Sequence, residues 1–142
     1  MCGIAGLILS TGAPPPDPVV ISRLIDSLQH RGPDGTGHAV VGRVAMMQNR
    51  LAIIDLVTGD QPFFAGSAIL VANGEVYNYR ELRDALPAVH YATNSDCEPP
   101  LHLWLRGDPL GDKLRGMYAM AIHQRAARTV TLSRDPFGIK PL

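Results

Sequence analysis

A cysteine stands directly behind the initiator methionine, and the short run Gly3–Leu9 follows it at once. That run is apolar and bounded by turn formers, so it reads as a buried strand. A side chain as small as that of Cys2 permits removal of Met1, which leaves a thiol and a free α-amine on one residue. An α-amine has a pKa of about 7.7–8.0 and a free thiol about 8.5, so near neutrality the amine can take the proton of the thiol. One residue then supplies both nucleophile and base. Gly3 is expected to leave the approach to the sulfur open, and Gly6 to let another backbone pack close behind it. Taken alone, these residues more readily describe a cysteine that acts as a small hydrophobe. Reactivity requires a microenvironment that the remaining chain has to provide.

With 142 residues, of which 46% are hydrophobic, the chain is long enough for one domain with a substantial core. Its formal net charge is +0, and no basic excess or polybasic cluster points to nucleic acid or to an acidic membrane surface. Cys2 and Cys97 follow no metal-ligand spacing and are too few for a disulfide framework, which fits a reducing, cytoplasmic setting. The five histidines are scattered without ligand spacing, so no metal site is expected. Ile4–Leu9 lacks the positive flank and the length of a signal sequence. No segment approaches the roughly 20 apolar residues of a membrane span.

Thr11–Pro18 is a proline-rich surface loop, and Asp17-Pro18 predicts an N-cap followed by proline at the first helical position. Ile21, Leu24, Ile25 and Leu28 recur at helical spacing, so Val19–Gln29 is expected to be an amphipathic helix facing the core. Arg31-Gly32-Pro33-Asp34-Gly35 ends it in a turn. His38–Val41 and Val44–Gln48 read as a hairpin around Gly42-Arg43, and Arg50–Asp55 as a further strand. Before the apolar Leu51-Ala52-Ile53-Ile54, Arg50 is readable as a solvated arginine at a strand end. Thr58–Pro62 is a loop, and Ala68–Ala72 is an apolar strand that runs into Asn73-Gly74-Glu75.

Asn-Gly after an apolar run usually marks a hairpin turn. Here, however, Asn78 and Glu81 resemble a capping box opening a helix over Tyr79–Leu86. Asn73-Gly74 is therefore expected at a strand-to-helix transition, with backbone N–H groups left for a ligand and close approach at Gly74. His90–Thr93 reads as a short strand, and Leu101–Arg106 as a leucine-rich helix. Met117–Ile122 is a buried strand in a hairpin across Gln124–Arg128 with Thr129–Ser133. Cys97 is read as a buried structural thiol rather than a second nucleophile, since nothing near it in sequence lowers its pKa. Strands outnumber helices, and the hairpins argue for antiparallel sheets.

Six segments occur in one order across the whole chain: Cys2-Gly-Ile-Ala-Gly, His30-Arg-Gly-Pro-Asp-Gly, Arg50-Leu-Ala-Ile-Ile-Asp, Asn73-Gly-Glu-Val-Tyr-Asn-Tyr, Ser95-Asp-Cys-Glu and Arg134-Asp-Pro-Phe-Gly-Ile-Lys-Pro-Leu. Together they resemble the class II, N-terminal nucleophile glutamine amidotransferases, and in particular the glutaminase domain of asparagine synthetases. The second and fourth segments are similar to the asparagine synthetase forms and differ from those of amidophosphoribosyltransferases and glucosamine-phosphate synthases.

The resemblance implies an α+β fold, a four-layer αββα sandwich with antiparallel sheets, as one glutamine amidotransferase type 2 domain over residues 1–142. It implies that Cys2 attacks the side-chain amide of glutamine, giving a tetrahedral oxyanion and then a thioester. Asn73 and the Gly74 N–H would form the oxyanion hole. Arg50 would hold the α-carboxylate and Asp96 the α-ammonium, with Leu51, Ile53, Ile54 and Glu75 completing the glutamine site. Water would release glutamate, and ammonia would pass to a synthetase domain or subunit. ATP and magnesium are expected only there, with no cofactor in this chain, and aspartate is the default ammonia acceptor. A homodimer is compatible with the resemblance.

Two departures bear on these expectations. Pro99-Pro100 would delete early hydrogen bonds of a helix capped by Ser95, so the helix should start nearer Glu98-Pro99 and shift Asp96. The family continues past the Gly-Ile-Lys-Pro-Leu motif into a Ser-Gly-Gly-x-Asp-Ser loop that this sequence lacks. The domain is therefore expected to be C-terminally incomplete, and a non-catalytic remnant that binds glutamine or a partner is the other reading.

Overall fold

The computed structural model describes residues 2–142. In chain order its elements are β1 (Gly3–Ile8), α1 (Pro18–Leu28), β2 (Gly35–Val41), β3 (Val44–Arg50), β4 (Phe63–Ala65), β5 (Ala68–Val76), α2 (Tyr79–Asp84), α3 (Pro99–Arg106), α4 (Leu110–Lys113), β6 (Gly116–Gln124) and β7 (Thr129–Arg134). The first three strands form an antiparallel sheet in the order β1-β3-β2, and the other four a second one in the order β4-β5-β6-β7.

The period of two along each strand sets the order of the layers. On β3, Ala45 and Met47 turn outward against Ile21, Leu24 and Ile25 of α1. Met46, between them, turns inward to Ile69 and Val71 of β5. On β5, Ala68, Leu70 and Ala72 face the opposite way, into a larger core with Leu82, Leu101, Leu103 and Leu110 from α2, α3 and α4. Helix, sheet, sheet and helices thus stack in the expected αββα order. Leu70 and Leu101 are fully buried, and each such side chain contributes about 1.5–3 kcal/mol. Among the described residues, no helix is long and apolar enough to cross a membrane.

Local signals hold where no distant strand competes. Asp17 caps α1 by accepting from the Val19 N–H at 2.8 Å, with Pro18 in the first turn. Elsewhere tertiary pairing overrides them. Asn73-Gly74 does not turn: β6 pairs with β5 as far as Val76, so both residues lie inside the ladder. Arg50–Asp55 is not a strand, because the partners of β3 begin at Gly3 and Gly35 and leave nothing to pair with beyond Arg50. Its polar backbone is satisfied by side chains instead, as when the Ala52 N–H donates to Asp34 at 2.9 Å.

Asn78 does not cap α2. Its amide donates to the Lys113 carbonyl and accepts from the Arg115 N–H, both at 2.9 Å, and so fastens the start of α2 to the end of α4. The short β4 and α4 were not expected from the sequence, which has no periodic run at either place.

His90–Thr93 is likewise a loop, organised by Glu98. The Glu98 carboxylate accepts from the Ala92 N–H at 2.7 Å, the Thr93 N–H at 2.8 Å and the Thr93 hydroxyl at 2.6 Å. Arg83 and His102 lie beside it. Burial alone would raise the Glu98 carboxyl, but His102 and the donors of residues 92 and 93 outweigh it and hold it at about 2. This depressed value contributes stability that is present above the ordinary glutamate range and lost as pH falls toward about 2. Glu98→Gln should therefore cost on the order of 3 kcal/mol near neutrality. Thermal melts should show the gap to wild type narrowing on acidification below pH ~4.5. A gap independent of pH would contradict this account.

Candidate active site

The strand registers carry the expected residues to one end of the layer between the sheets. Gly3 pairs with Asn49, so Cys2 stands one step further, level with Arg50. Arg50 and Gln48 share the inward face of Met46, and Asn73 shares that of Ile69 and Val71. The cleft they form is lined by Cys2, Arg50, Asn73, Gly74 and Asp96, and also by Leu51, Ile53, Ile54 and Glu75. Every residue expected to contact glutamine therefore lines this one cleft.

Cys2 is half-buried, and its thiol is anchored on the backbone of Leu51. Its Sγ accepts from the Leu51 N–H at 3.3 Å and lies 3.6 Å from the Leu51 carbonyl, to which it donates. Arg31 Nε donates to the Cys2 carbonyl at 3.2 Å and fixes the residue from the other side. Gly3 does not clear the approach to the sulfur. A Cβ there would meet the Leu28 side chain at 3.1 Å, so the glycine admits α1 instead. Removal of Met1 concerns a residue outside those described.

Hydrogen-bond alternation along β5 explains how Gly74 can serve a ligand from inside a strand. β4 covers β5 only to Leu70, which leaves the next residues of that edge open. There the Ala72 N–H donates to Gln61 at 2.6 Å and the Val76 N–H to Asp96 at 2.7 Å. Alternate residues of an antiparallel strand address the same edge, so the N–H of Gly74, midway between them, faces the cleft. Its lack of a side chain answers to packing: a Cβ would lie 2.3 Å from the Met117 carbonyl of β6. Close approach of the neighbouring strand is thus a further reason for glycine at this position.

Arg50 is not a solvated strand-end residue. It is buried, pairs with Asp60 at 2.8 Å, and donates to the carbonyls of Ile54 and Asp55. Asp55 has a left-handed backbone, with φ of 57°, and its carboxylate closes the loop. It accepts from the Thr58 N–H at 2.8 Å, the Thr58 hydroxyl, and the Asn94 N–H at 2.7 Å. Although burial pushes the Asp55 carboxyl up, these bonds hold it below the ordinary carboxylate range. Through this one carboxylate, the loop that holds Arg50 is tied to the loop that leads into Asp96.

The helix α3 begins at Pro99 as expected, with Glu98 at the cap and both prolines in the first turn, yet this does not carry Asp96 out of the cleft. In that first turn the missing N–H groups would have had no helical partner in any case. Burial raises the Asp96 carboxyl, partly offset by the Val76 N–H. Cys97 is buried behind it, with Sγ 3.6 Å from the Gly74 carbonyl. Burial, and then the Asp96 carboxylate, push its thiol well above the ordinary range, so it is a structural thiol.

Sequence reasoning missed Gln48, Gln61 and Lys140, all of which line the cleft. Gln48 was legible as the residue two before Arg50 on the same strand face. Lys140 is delivered by the terminal motif. Asp135 accepts from the N–H groups of Ile139 at 2.9 Å and Lys140 at 3.1 Å, and Arg134 donates to the Lys140 carbonyl at 2.6 Å. A thiol, backbone and amide donors, a guanidinium, an ammonium and two carboxylates around a single cleft suit an α-amino acid whose side chain ends in an acyl group.

The whole chain, residues 1–142, matches the family described as the glutamine amidotransferase domain. It is 39% identical over 148 residues to the glutamine-hydrolyzing asparagine synthetase 2 of Bacillus subtilis (strain 168), with 100% of this chain and 20% of that protein covered. It is 37% identical over 145 residues to the glutamine-hydrolyzing asparagine synthetase of Asparagus officinalis, covering 100% of this chain and 25% of that protein. For asparagine synthetase 1 of Lotus japonicus the identity is 35% over 145 residues, with 100% and 25% covered. The chain thus spans about a fifth to a quarter of the length of these relatives. With its αββα layers and a family match from end to end, the chain belongs to the glutamine amidotransferase domain family.

Proposed function

We propose that this domain hydrolyses glutamine to glutamate and ammonia through a thioester on Cys2, as the glutaminase half of an asparagine-synthetase-like enzyme. The observation that carries the reading is the convergence of Cys2, Arg50, Asn73, Gly74 and Asp96 on one cleft. Arg50 grips the α-carboxylate of glutamine and Asp96 its α-ammonium, while Glu75, Leu51, Ile53 and Ile54 wall the site. With its head held at the rim, the side-chain amide reaches the thiol. The α-amine of Cys2 takes the thiol proton as sulfur attacks the amide carbon. Negative charge develops on the amide oxygen, where Asn73 and the Gly74 N–H receive it. Collapse of the adduct breaks the C–N bond, and the proton goes to the leaving ammonia. Water then releases glutamate and restores the thiol.

Ammonia is passed to a synthetase domain or subunit that uses ATP and magnesium, with aspartate as the default acceptor, in a cytoplasmic enzyme. The test is a glutaminase assay on the purified protein, with glutamate and ammonia expected one for one. Arg50→Ala and Asp96→Ala should raise KM for glutamine by about 10- to 100-fold, the worth of a charge-assisted hydrogen bond. They should alter kcat far less, because both grip atoms remote from the reacting carbon. No glutamate release from wild type would sink the reading, and a kcat loss at constant KM would sink these two roles.

A further inference from the structure

We infer that Gln48 is a further substrate-contacting residue of this cleft, one whose side-chain Nε2 donates to an oxygen of the bound amino acid. The inference rests on the glutamine-binding reading above. Gln48 is 1% exposed, yet its Nε2 is buried with no hydrogen-bond partner. Buried amide donors are nearly always paired, and one left open costs stability in the empty protein.

The surroundings explain why no partner is found within the sheet. In register, Gln48 lies between Ile4 of β1 and Gly37 of β2, neither of which has a polar side chain to meet it. Above Gly37 stands the Gln61 carbonyl, whose oxygen lies 1.8 Å from where a Cβ would be, and the amide of Gln48 is not bonded to it. Gln48 itself lines the cleft, and a turn of its side chain brings the amide to a molecule bound there. Gln48 sits two residues from Arg50 on the same strand face, so it belongs to the donor-bearing flank, opposite the carboxylates of Glu75 and Asp96. An amino acid seated there presents only its carboxylate and amide oxygens as acceptors for such a donor. The donor is unpaired in the empty protein and paired on binding, which makes it a device for affinity and selectivity rather than for folding.

The test is Gln48→Met, which keeps the length of the side chain and removes its donors, with Gln48→Leu as the second variant should the first not fold. Expected are a rise of about tenfold in KM for glutamine, the fold-change of one such hydrogen bond, and a change in kcat of less than about threefold. The unliganded melting temperature should be equal to or above that of wild type, because the orphaned donor is gone. These opposite signs distinguish a ligand contact from a structural one. Unchanged KM, or a lowered melting temperature with KM unchanged, overturns the inference while leaving the proposed function standing. A wild-type protein that releases no glutamate overturns that function and this inference with it.

Discussion

Replacing Cys2 by alanine is expected to bring glutamine hydrolysis down to background, a loss of roughly 10⁴-fold or more. The other thiol of the cleft does not replace the nucleophile. The second thiol, Cys97, is buried and held protonated by burial and by the Asp96 carboxylate, so it offers no thiolate at neutral pH. The fold should tolerate the change, because Cys2 is only half-buried and its thiol contacts are confined to the backbone of Leu51. A stability cost within about 1 kcal/mol is expected. An electrophilic glutamine analogue should label the wild type once, at Cys2, and leave Cys2→Ala unlabelled by mass spectrometry. Labelling at Cys97, or turnover that survives the substitution, would refute the assignment.

Asn73→Ala should lower kcat by about 10²–10³, the usual cost of removing one oxyanion donor. Asn73 is buried on the inward face of β5, while the adjacent Gly74 N–H faces the open edge of the same strand. The two donors therefore reach the cleft by different routes, one as a side chain and one as main chain, and alanine removes the first without disturbing the second. Their contact strengthens as the carbonyl oxygen becomes an anion, so KM should change less than about threefold. Steady-state kinetics and single-turnover thioester formation would measure both quantities. An increase confined to KM would make Asn73 a binding residue and move the oxyanion elsewhere.

Much of this arrangement was legible in the sequence, because several features depend on local spacing alone. The amphipathic stripe Ile21-Leu24-Ile25-Leu28 gave α1, and the alternation around Met46 gave the inward face on which Arg50 lies. Segments whose structure depends on distant partners were misjudged. Asn-Gly is a strong local turn signal, but nine residue pairs with β6 extend through it and keep β5 straight. Arg50–Asp55 has the apolar composition of a strand but no neighbouring strand to complete it. The capping pattern of Asn78 and Glu81 was diverted by Lys113 and Arg115, more than thirty residues away. Gln48 and Lys140 went unnoticed for a related reason. What distinguishes them is the cleft they enter, and only the stacking of the sheets creates it.

The cleft joins residue 2 to residues 48 and 50, 73–75, 96 and 140, so no contiguous stretch of chain contains the whole of it. Closing such long loops carries an entropic cost before any contact rewards it, which places these pairings late in folding. Along the nascent chain the cysteine emerges first, and its oxyanion donors follow some seventy residues later. A partly folded molecule has helices and hairpins but no assembled chemistry. Recovery of turnover during refolding should therefore lag behind recovery of helical signal, which makes activity the stricter measure of the native state.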